Sequence, residues 1–388
     1  MKKTIFISVG TLLILTLIGV WIYLFMYGAP KNSADVFSRF GITRTTEIST
    51  EPTEDAYVDV TSETAADGLK KLRQLTIRPV AGATFSETSI QYVEQGTGHV
   101  YNIDLVTGQE TLINGTTIPQ TSNAFFSRDG RYVAITSFNS TGETVLVGNT
   151  SSELQDTPTV SITLPQGAKE VAFGAATGTI NYLIETDIGS SGYQYNYIKE
   201  TSSRIFSIPL QDVRVLWGKE IYVYTTPTSL QEGYLYKIIA DKLTYVAESG
   251  YGLMAFLYNN GVVFTRTEKM AWVTTAITKK DLKIDQAVLM ISEKCTPELG
   301  KISTVICAIP SNSTQEMFPD SWYKGVISYS DTLWSIDVEA GTSAALSNFK
   351  FESGREIDVI QIGTDPEGDR IWFINKNDNT LWMFDTTL

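Results

Sequence analysis

The chain has 388 residues, of which 43% are hydrophobic and 19% charged, and its formal net charge is −13. That composition supplies a large packed core and is unlike that of a disordered or fibrous chain. The acidity disfavours nucleic acid and anionic lipid headgroups as partners, and no basic patch offsets it.

Residues Thr4–Tyr27, TIFISVGTLLILTLIGVWIYLFMY, carry no charge. At about 1.5 Å per helical residue, the run covers the roughly 30 Å of bilayer hydrocarbon. It is longer than the roughly 7–15-residue apolar core of a cleaved signal peptide. Neither an A-x-A site nor a lipoprotein cysteine follows it. Residues 1–28 therefore read as a cytoplasmic stub and a single transmembrane helix. Lys2 and Lys3 precede the run and acidic sequence follows it, so the N-terminus is expected inside and the remainder outside the cytoplasmic membrane.

Residues 29–74 include TRTTEISTEPTEDAYVDVTSETAADG, rich in Thr, Glu and Asp and poor in aliphatic residues. Such a segment buries too little apolar surface to fold alone and reads as a polar acidic stalk. A short helical piece is compatible with Ser33–Phe40.

From Leu75 to Leu388 the pattern is all-β. Apolar and aromatic runs alternate with Gly, Asn and Asp turns, and no stretch has helical periodicity. Seven groups share one grammar, in which an apolar strand, a tight turn and an aromatic-rich strand precede a more polar hairpin. They are Ile90–Ile113, Asn123–Phe138, Lys169–Thr186, Val213–Thr226, Leu253–Thr267, Trp322–Gly341 and Ile357–Asp385. Their spacing is that of four-stranded blades, and at about 45 residues per blade the span holds about seven. The last group supplies only three strands, Ile357–Gly363, Arg370–Lys376 and Thr380–Asp385. LTIRPV (Leu75–Val80), which has no partner of its own, is expected to supply the fourth and close the ring, leaving no open sheet edge.

AFFSRDGRYVAI (Ala124–Ile135) resembles the F-S-P-D-G-K-x-I-A-F repeat of TolB-type, WD40-like propellers, with Arg128 in place of the usual proline. GTDPEGDRIWFI (Gly363–Ile374) resembles the same repeat. The chain is also similar to membrane-anchored propeller proteins of candidate-phylum bacteria through IQYVEQGTGHVY, FPDSWYKG with SYSDTLWSID, and INKNDNTLW. The resemblance implies a seven-bladed propeller outside the membrane and, because propellers host many chemistries, no activity. The paired cysteines belong to the same pattern.

Cys295 and Cys307 are the two cysteines. Outside the cytoplasm such a pair is usually a disulfide, the alternative being two buried thiols. His99 is the single histidine, which argues against a multi-His metal site and against His-based hydrolysis, and no G-x-S-x-G accompanies it. It reads as a structural residue at a strand start. Asp365, Glu367 and Asp369 lie in DPEGD, but an EF-hand loop would need Glu where Lys376 stands, so the motif reads as a turn. No P-loop, dinucleotide fingerprint or metal tetrad is present, and neither cofactor nor metal is expected. N-x-[ST] matches at Asn114, Asn139, Asn149 and Asn312 read as chance. PDSW follows the polar insertion SNSTQEM, and Pro319, Asp320, Trp322 and Tyr323 are the candidate contact loop. The sequence thus favours a non-enzymatic, protein-binding scaffold of the cell envelope. The alternative is a hydrolase or lyase of envelope glycans using carboxylates in the central channel.

Overall fold

The computed structural model describes Thr16 and residues 70–388, except 141, 152–160, 247–248, 269–270 and 312–316. Apart from Thr16, the anchor lies outside the described residues, as does most of the stalk. Among those described, no helix is long and apolar enough to cross a membrane.

The described chain forms a seven-bladed β-propeller of antiparallel, four-stranded blades. Strand β1 (Leu72–Gln74) opens it. Blade 1 is β2–β5 (Val80–Ser86, Ser89–Glu94, Val100–Asp104, Glu110–Asn114) and blade 2 is β6–β9 (Thr121–Phe126, Tyr132–Asn139, Gly142–Asn149, Ser161–Thr163). Blade 3 is β10–β13 (Lys169–Phe173, Thr179–Thr186, Gly189–Asn196, Thr201–Ile208). Blade 4 is β14 (Val213–Leu216), β15 (Tyr222–Thr225), β17 (Leu235–Ile239) and β18 (Lys242–Tyr245). Between β15 and β17, the two-residue strand β16 (Glu232–Gly233) leaves its own blade and pairs with β19 of the next. Blade 5 is β19–β22 (Gly250–Tyr258, Gly261–Glu268, Ala271–Thr278, Lys283–Gln286) and blade 6 is β23–β26 (Cys295–Pro297, Thr304–Pro310, Asp331–Asp337, Thr342–Asn348). Blade 7 is β27–β29 (Val359–Thr364, Arg370–Asn375, Thr380–Asp385) completed by β1.

Closure follows the expected principle with different residues. Leu72 faces Phe384 and Gln74 faces Trp382 in the β1–β29 ladder, three residues ahead of the expected Leu75–Val80. Pro79 has no N–H for a ladder, and the segment after Leu75 instead crosses to β2. Blade 6 also differs from the sequence grouping. Its two inner strands are Cys295–Pro297 and Thr304–Pro310, and Trp322–Tyr323 falls in a short helix, α1 (Asp320–Tyr323), between β24 and β25. A second helix, α2 (Phe349–Ser353), follows β26.

The core lies between blades. Each neighbouring pair of blades encloses one apolar cluster, including Leu75, Ile90 and Tyr92 against Ile374, Leu381 and Met383 where blade 7 meets blade 1. Middle strands therefore bury both faces and read as near-continuous apolar runs, as in RIWFIN of β28. Gly82 allows the innermost strands of blades 1 and 2 to touch: a Cβ there would lie 2.0 Å from the Ala124 carbonyl oxygen.

Cys295 and Cys307 are directly opposite in the β23–β24 ladder and form a disulfide. Bridging this short loop contributes about 2–4 kcal/mol. Reduction is expected to lower the melting temperature, and a melting curve unchanged by reductant, with two titratable thiols after treatment, would contradict this.

Candidate functional site

The first strand of each blade lines a central channel. The face where these strands begin, here the upper face, also carries the connections between second and third strands and those between blades. Among the described residues, two cavities open along the channel. The first, about 580 Å³, runs along blades 2 to 5, past Glu143, Lys169, Glu170, Arg214, Trp217 and Thr226. The second, about 520 Å³, is bounded by blades 6, 7, 1 and 2. Phe125 of β6 lines both. Gln361 of the second cavity donates to Asn123 of the first at 2.6 Å, which ties blade 7 to blade 2 between them.

A charged and phenolic group converges on the upper mouth. Glu170 sits at a β-bulge with a positive φ of 53°. That turn sends its carboxylate toward blade 4, where Arg214 Nη1 donates to it at 3.0 Å and the Val215 N–H at 3.1 Å. The Trp217 indole donates to its carbonyl. Tyr224 is the ladder partner of Arg214. Opposite, Glu293 lies on a 3₁₀ turn (Ser292–Lys294) entering blade 6, accepting from Ser292 Oγ at 2.5 Å and from the Tyr323 hydroxyl. Burial, and then Glu293, push the phenols of Tyr323 and Tyr224 upward, so both keep their protons. Burial works against the Arg214 charge, but Glu170, Tyr224, Tyr323 and Glu293 outweigh it and raise its pKa.

The connection carrying α1 crosses this mouth as a strap. Asp320 accepts from Thr228 Oγ1 at 3.1 Å and from the Ser229 N–H at 2.5 Å, both of blade 4. Burial tends to raise its pKa, but these bonds prevail and lower it. Gly252 of blade 5, at φ +63°, makes room for Pro319, whose Cδ would lie 3.0 Å from a Cβ there. Trp322 is buried, with its indole N–H 3.0 Å from Asp358 Oδ2 of blade 7 and its carbonyl accepting from Lys376 Nζ at 2.7 Å. Phe318, Trp322 and Tyr329 form an apolar cap with Met254 and Ile291.

Beneath the strap lies Lys294, 0% exposed. Its Nζ is 2.5 Å from Asp331 Oδ2 and 2.5 Å from Asp358 Oδ1. It also lies 5.2 Å from the ring centroids of both Trp322 and Tyr329, a cation–π arrangement. Asp358 accepts further bonds from Ser328 Oγ and the Tyr329 N–H, each at 3.1 Å. Asp331 accepts from the Val359 N–H at 2.8 Å, while its Oδ1 has no partner. Burial, with the Asp358 charge adding to it, raises the Asp331 pKa to about 6 despite Lys294.

The sequence-derived candidates separate accordingly. Tyr323 reaches the channel mouth, Asp320 and Pro319 fasten the strap, and Trp322 is enclosed beneath it. His99 sits on the rim of blade 1, its Nε2 3.0 Å from Thr117 Oγ1. Asp365, Glu367 and Asp369 occupy a turn in which Asp365 accepts from the Arg370 N–H at 3.0 Å. Among the described residues no three His, Cys, Asp or Glu side chains are placed to hold a metal ion. Glu170, Arg214, Glu293 and Lys294 were not singled out from sequence. The sequence offers no local signal for them: Glu170 and Arg214 meet across blades 3 and 4, and Glu293 and Lys294 meet Tyr323, Asp331 and Asp358, which lie 30, 37 and 64 positions away in the chain.

No family model and no curated protein matches the chain. Solved structures do resemble it in fold. An uncharacterised protein of Listeria monocytogenes aligns at 12% identity and TM-score 0.51, covering 78% of this chain and 93% of that one. An oligogalacturonate lyase of Vibrio parahaemolyticus aligns at 10% identity and TM-score 0.52, covering 81% and 93%. The β-propeller domain of the Trilobed protease of Pyrococcus furiosus aligns at 10% identity and TM-score 0.52, covering 79% and 95%. At these identities the likeness is one of fold. The Pyrococcus domain is described as having an open velcro topology, whereas here β1 pairs with β29.

Proposed function

We propose that this protein is a binding propeller of the cell envelope. Residues 4–27 hold it in the cytoplasmic membrane with the N-terminus inside, and the residues from 29 up to the start of β1 space the propeller outside. It is read as non-enzymatic and of the TolB-like type, capturing a protein partner on its upper face. The observation that carries this reading is an apolar patch around the strap. Leu230, Tyr251, Met317 and Val326 are 71%, 46%, 57% and 75% exposed. They belong to one locality: Thr228 and Ser229 bond Asp320, the Gly252 N–H bonds the Thr228 carbonyl, and the Val326 N–H bonds the Ser321 carbonyl. Exposed apolar side chains grouped in this way and rimmed by polar residues mark interaction surfaces.

A photocrosslinking residue at position 230, in the full chain in its native membrane, is expected to give one defined adduct. The same residue at position 106, exposed on the opposite face, is expected to give none. Val326→Asp should abolish the adduct without changing the melting temperature. Equal labelling from both faces would overturn the reading.

A second reading is supported by the convergence of Glu170, Glu293, Arg214 and Tyr323 on the upper mouth of the channel. It is a hydrolase or lyase of envelope glycans, with channel carboxylates and a phenol as the proton-handling groups. One propeller of like fold is an oligogalacturonate lyase. On this reading Glu293→Gln would abolish release of reducing or unsaturated ends from purified envelope polysaccharide. Absence of any release by the unmodified protein would remove it.

A further inference from the structure

The second cavity differs from the first in chemistry. Its walls are largely apolar, from Phe85, Phe125, Ile360, Ile362, Pro297 and Trp372. The polar groups among them are few and mostly neutral: the hydroxyls of Thr84, Ser127, Thr296 and Thr364, and the amide of Gln361. Thr364 Oγ1 is buried without a hydrogen-bond partner. Glu293, the one carboxylate in the wall, is taken up by Ser292 and Tyr323. Arg128 lies at the margin, on the turn after β6.

Arg128 is exposed, and among the described residues no side chain or main-chain group pairs with it. The adjacent carboxylate of Asp129 is engaged elsewhere, accepting from Ser127 Oγ at 2.6 Å and the Arg131 N–H at 3.3 Å. The guanidinium therefore stands beside a preformed apolar chamber with its planar set of donors free, the geometry that receives a carboxylate in two parallel hydrogen bonds. A chamber of about 520 Å³ is within the range that encloses a small organic molecule.

We propose that the second cavity binds a small amphipathic carboxylate, with its apolar body against Phe125, Ile362 and Trp372 and its carboxylate on Arg128. The body supplies affinity by leaving water, and the charge pair selects the anion. The site is separate from the upper-face patch, so a protein partner and this ligand bind independently.

The probes are 2-naphthoate and its neutral analogue 2-naphthamide, titrated against the full chain in lipid nanodiscs by saturation-transfer NMR. Empty nanodiscs supply the background. Saturable binding of naphthoate is expected. Arg128→Gln, a change on an exposed turn, is expected to weaken naphthoate by about tenfold or more, the usual worth of a charged hydrogen bond. It should change naphthamide by less than about threefold. Ile362→Trp, which fills the chamber, should remove both. Melting curves of each variant establish that the fold is retained. Naphthoate binding that equals the nanodisc background, or that Arg128→Gln leaves intact, would overturn the proposal.

Discussion

Lys294→Ala is expected to destabilise the propeller by about 3–5 kcal/mol, the usual cost of removing one partner from a buried ion group. Lys294 has no access to solvent, and its ammonium lies between two carboxylates that are themselves 1% and 0% exposed. Without it, Asp331 and Asp358 face each other in a water-poor site with no cation between them. Asp358 also fixes the strap through Trp322, Ser328 and the Tyr329 main chain. The loss should therefore loosen the channel mouth as well as lower the melting temperature. Asp358→Asn should cost more than Asp331→Asn, because Asp331 has one oxygen already unpaired. The measurement is chemical denaturation of the three variants beside the parent chain. Equal stability of Lys294→Ala and the parent would show that the ion group contributes nothing net.

The same site sets a pH dependence. The folded-state pKa of Asp331, about 6, is above the ordinary aspartate value of 3.8. A raised carboxyl pKa means that the folded state binds a proton more tightly than the unfolded chain. The contribution of this group is thus full below the unfolded value and is lost as pH rises through about 6. In Lys294→Ala the two carboxylates lose their counter-charge, and protonation becomes the way to relieve their repulsion. The deficit of the variant should be smaller at pH 5 than at pH 8. A deficit equal at both pH values would contradict this account.

The contrast between blades and mouth shows what a sequence carries. Seven turn-punctuated apolar groups correspond to seven sheets because blade strands pair with neighbours close in the chain, and Gly, Asn and Asp mark their turns. The last three strands, expected at Ile357–Gly363, Arg370–Lys376 and Thr380–Asp385, form at Val359–Thr364, Arg370–Asn375 and Thr380–Asp385. Blade 6 was harder to read because its second and third strands are parted by the strap. Helix α1 has four residues and no period to detect, and its fastenings, Thr228 and Asp358, lie in other blades. Helix α2 did leave a signal. Asn348 caps it by accepting from the Phe351 N–H at 2.9 Å, and Gly354 ends it at φ 72°. Lys294 left none, since a lone lysine beside a cysteine reads as a solvated side chain until residues 37 and 64 positions away fold against it.

Ring closure gives the other large effect. A chain beginning at Thr76 is expected to melt well below one beginning at Lys70 and to aggregate on heating. The six residues that separate the two chains do several things at once. Leu72 and Leu75 are 7% and 0% exposed, one at the junction of blades 6 and 7 and the other at the junction of blades 7 and 1. Each is worth about 2–5 kcal/mol as a buried leucine. Arg73 donates to the Leu105 carbonyl of blade 1 at 3.1 Å, and the Leu75 N–H bonds the Leu381 carbonyl at 2.8 Å. Removing them uncovers the edge of β29, with Trp382 and Phe384 beside it, and an unpaired apolar edge recruits strands from other molecules. Leu75→Ala separates packing from pairing, since it keeps the β1 ladder and should lower stability by about 2–5 kcal/mol without promoting aggregation. Equal melting of the two truncated chains would mean that blade 7 holds with three strands and that β1 is not what closes the ring.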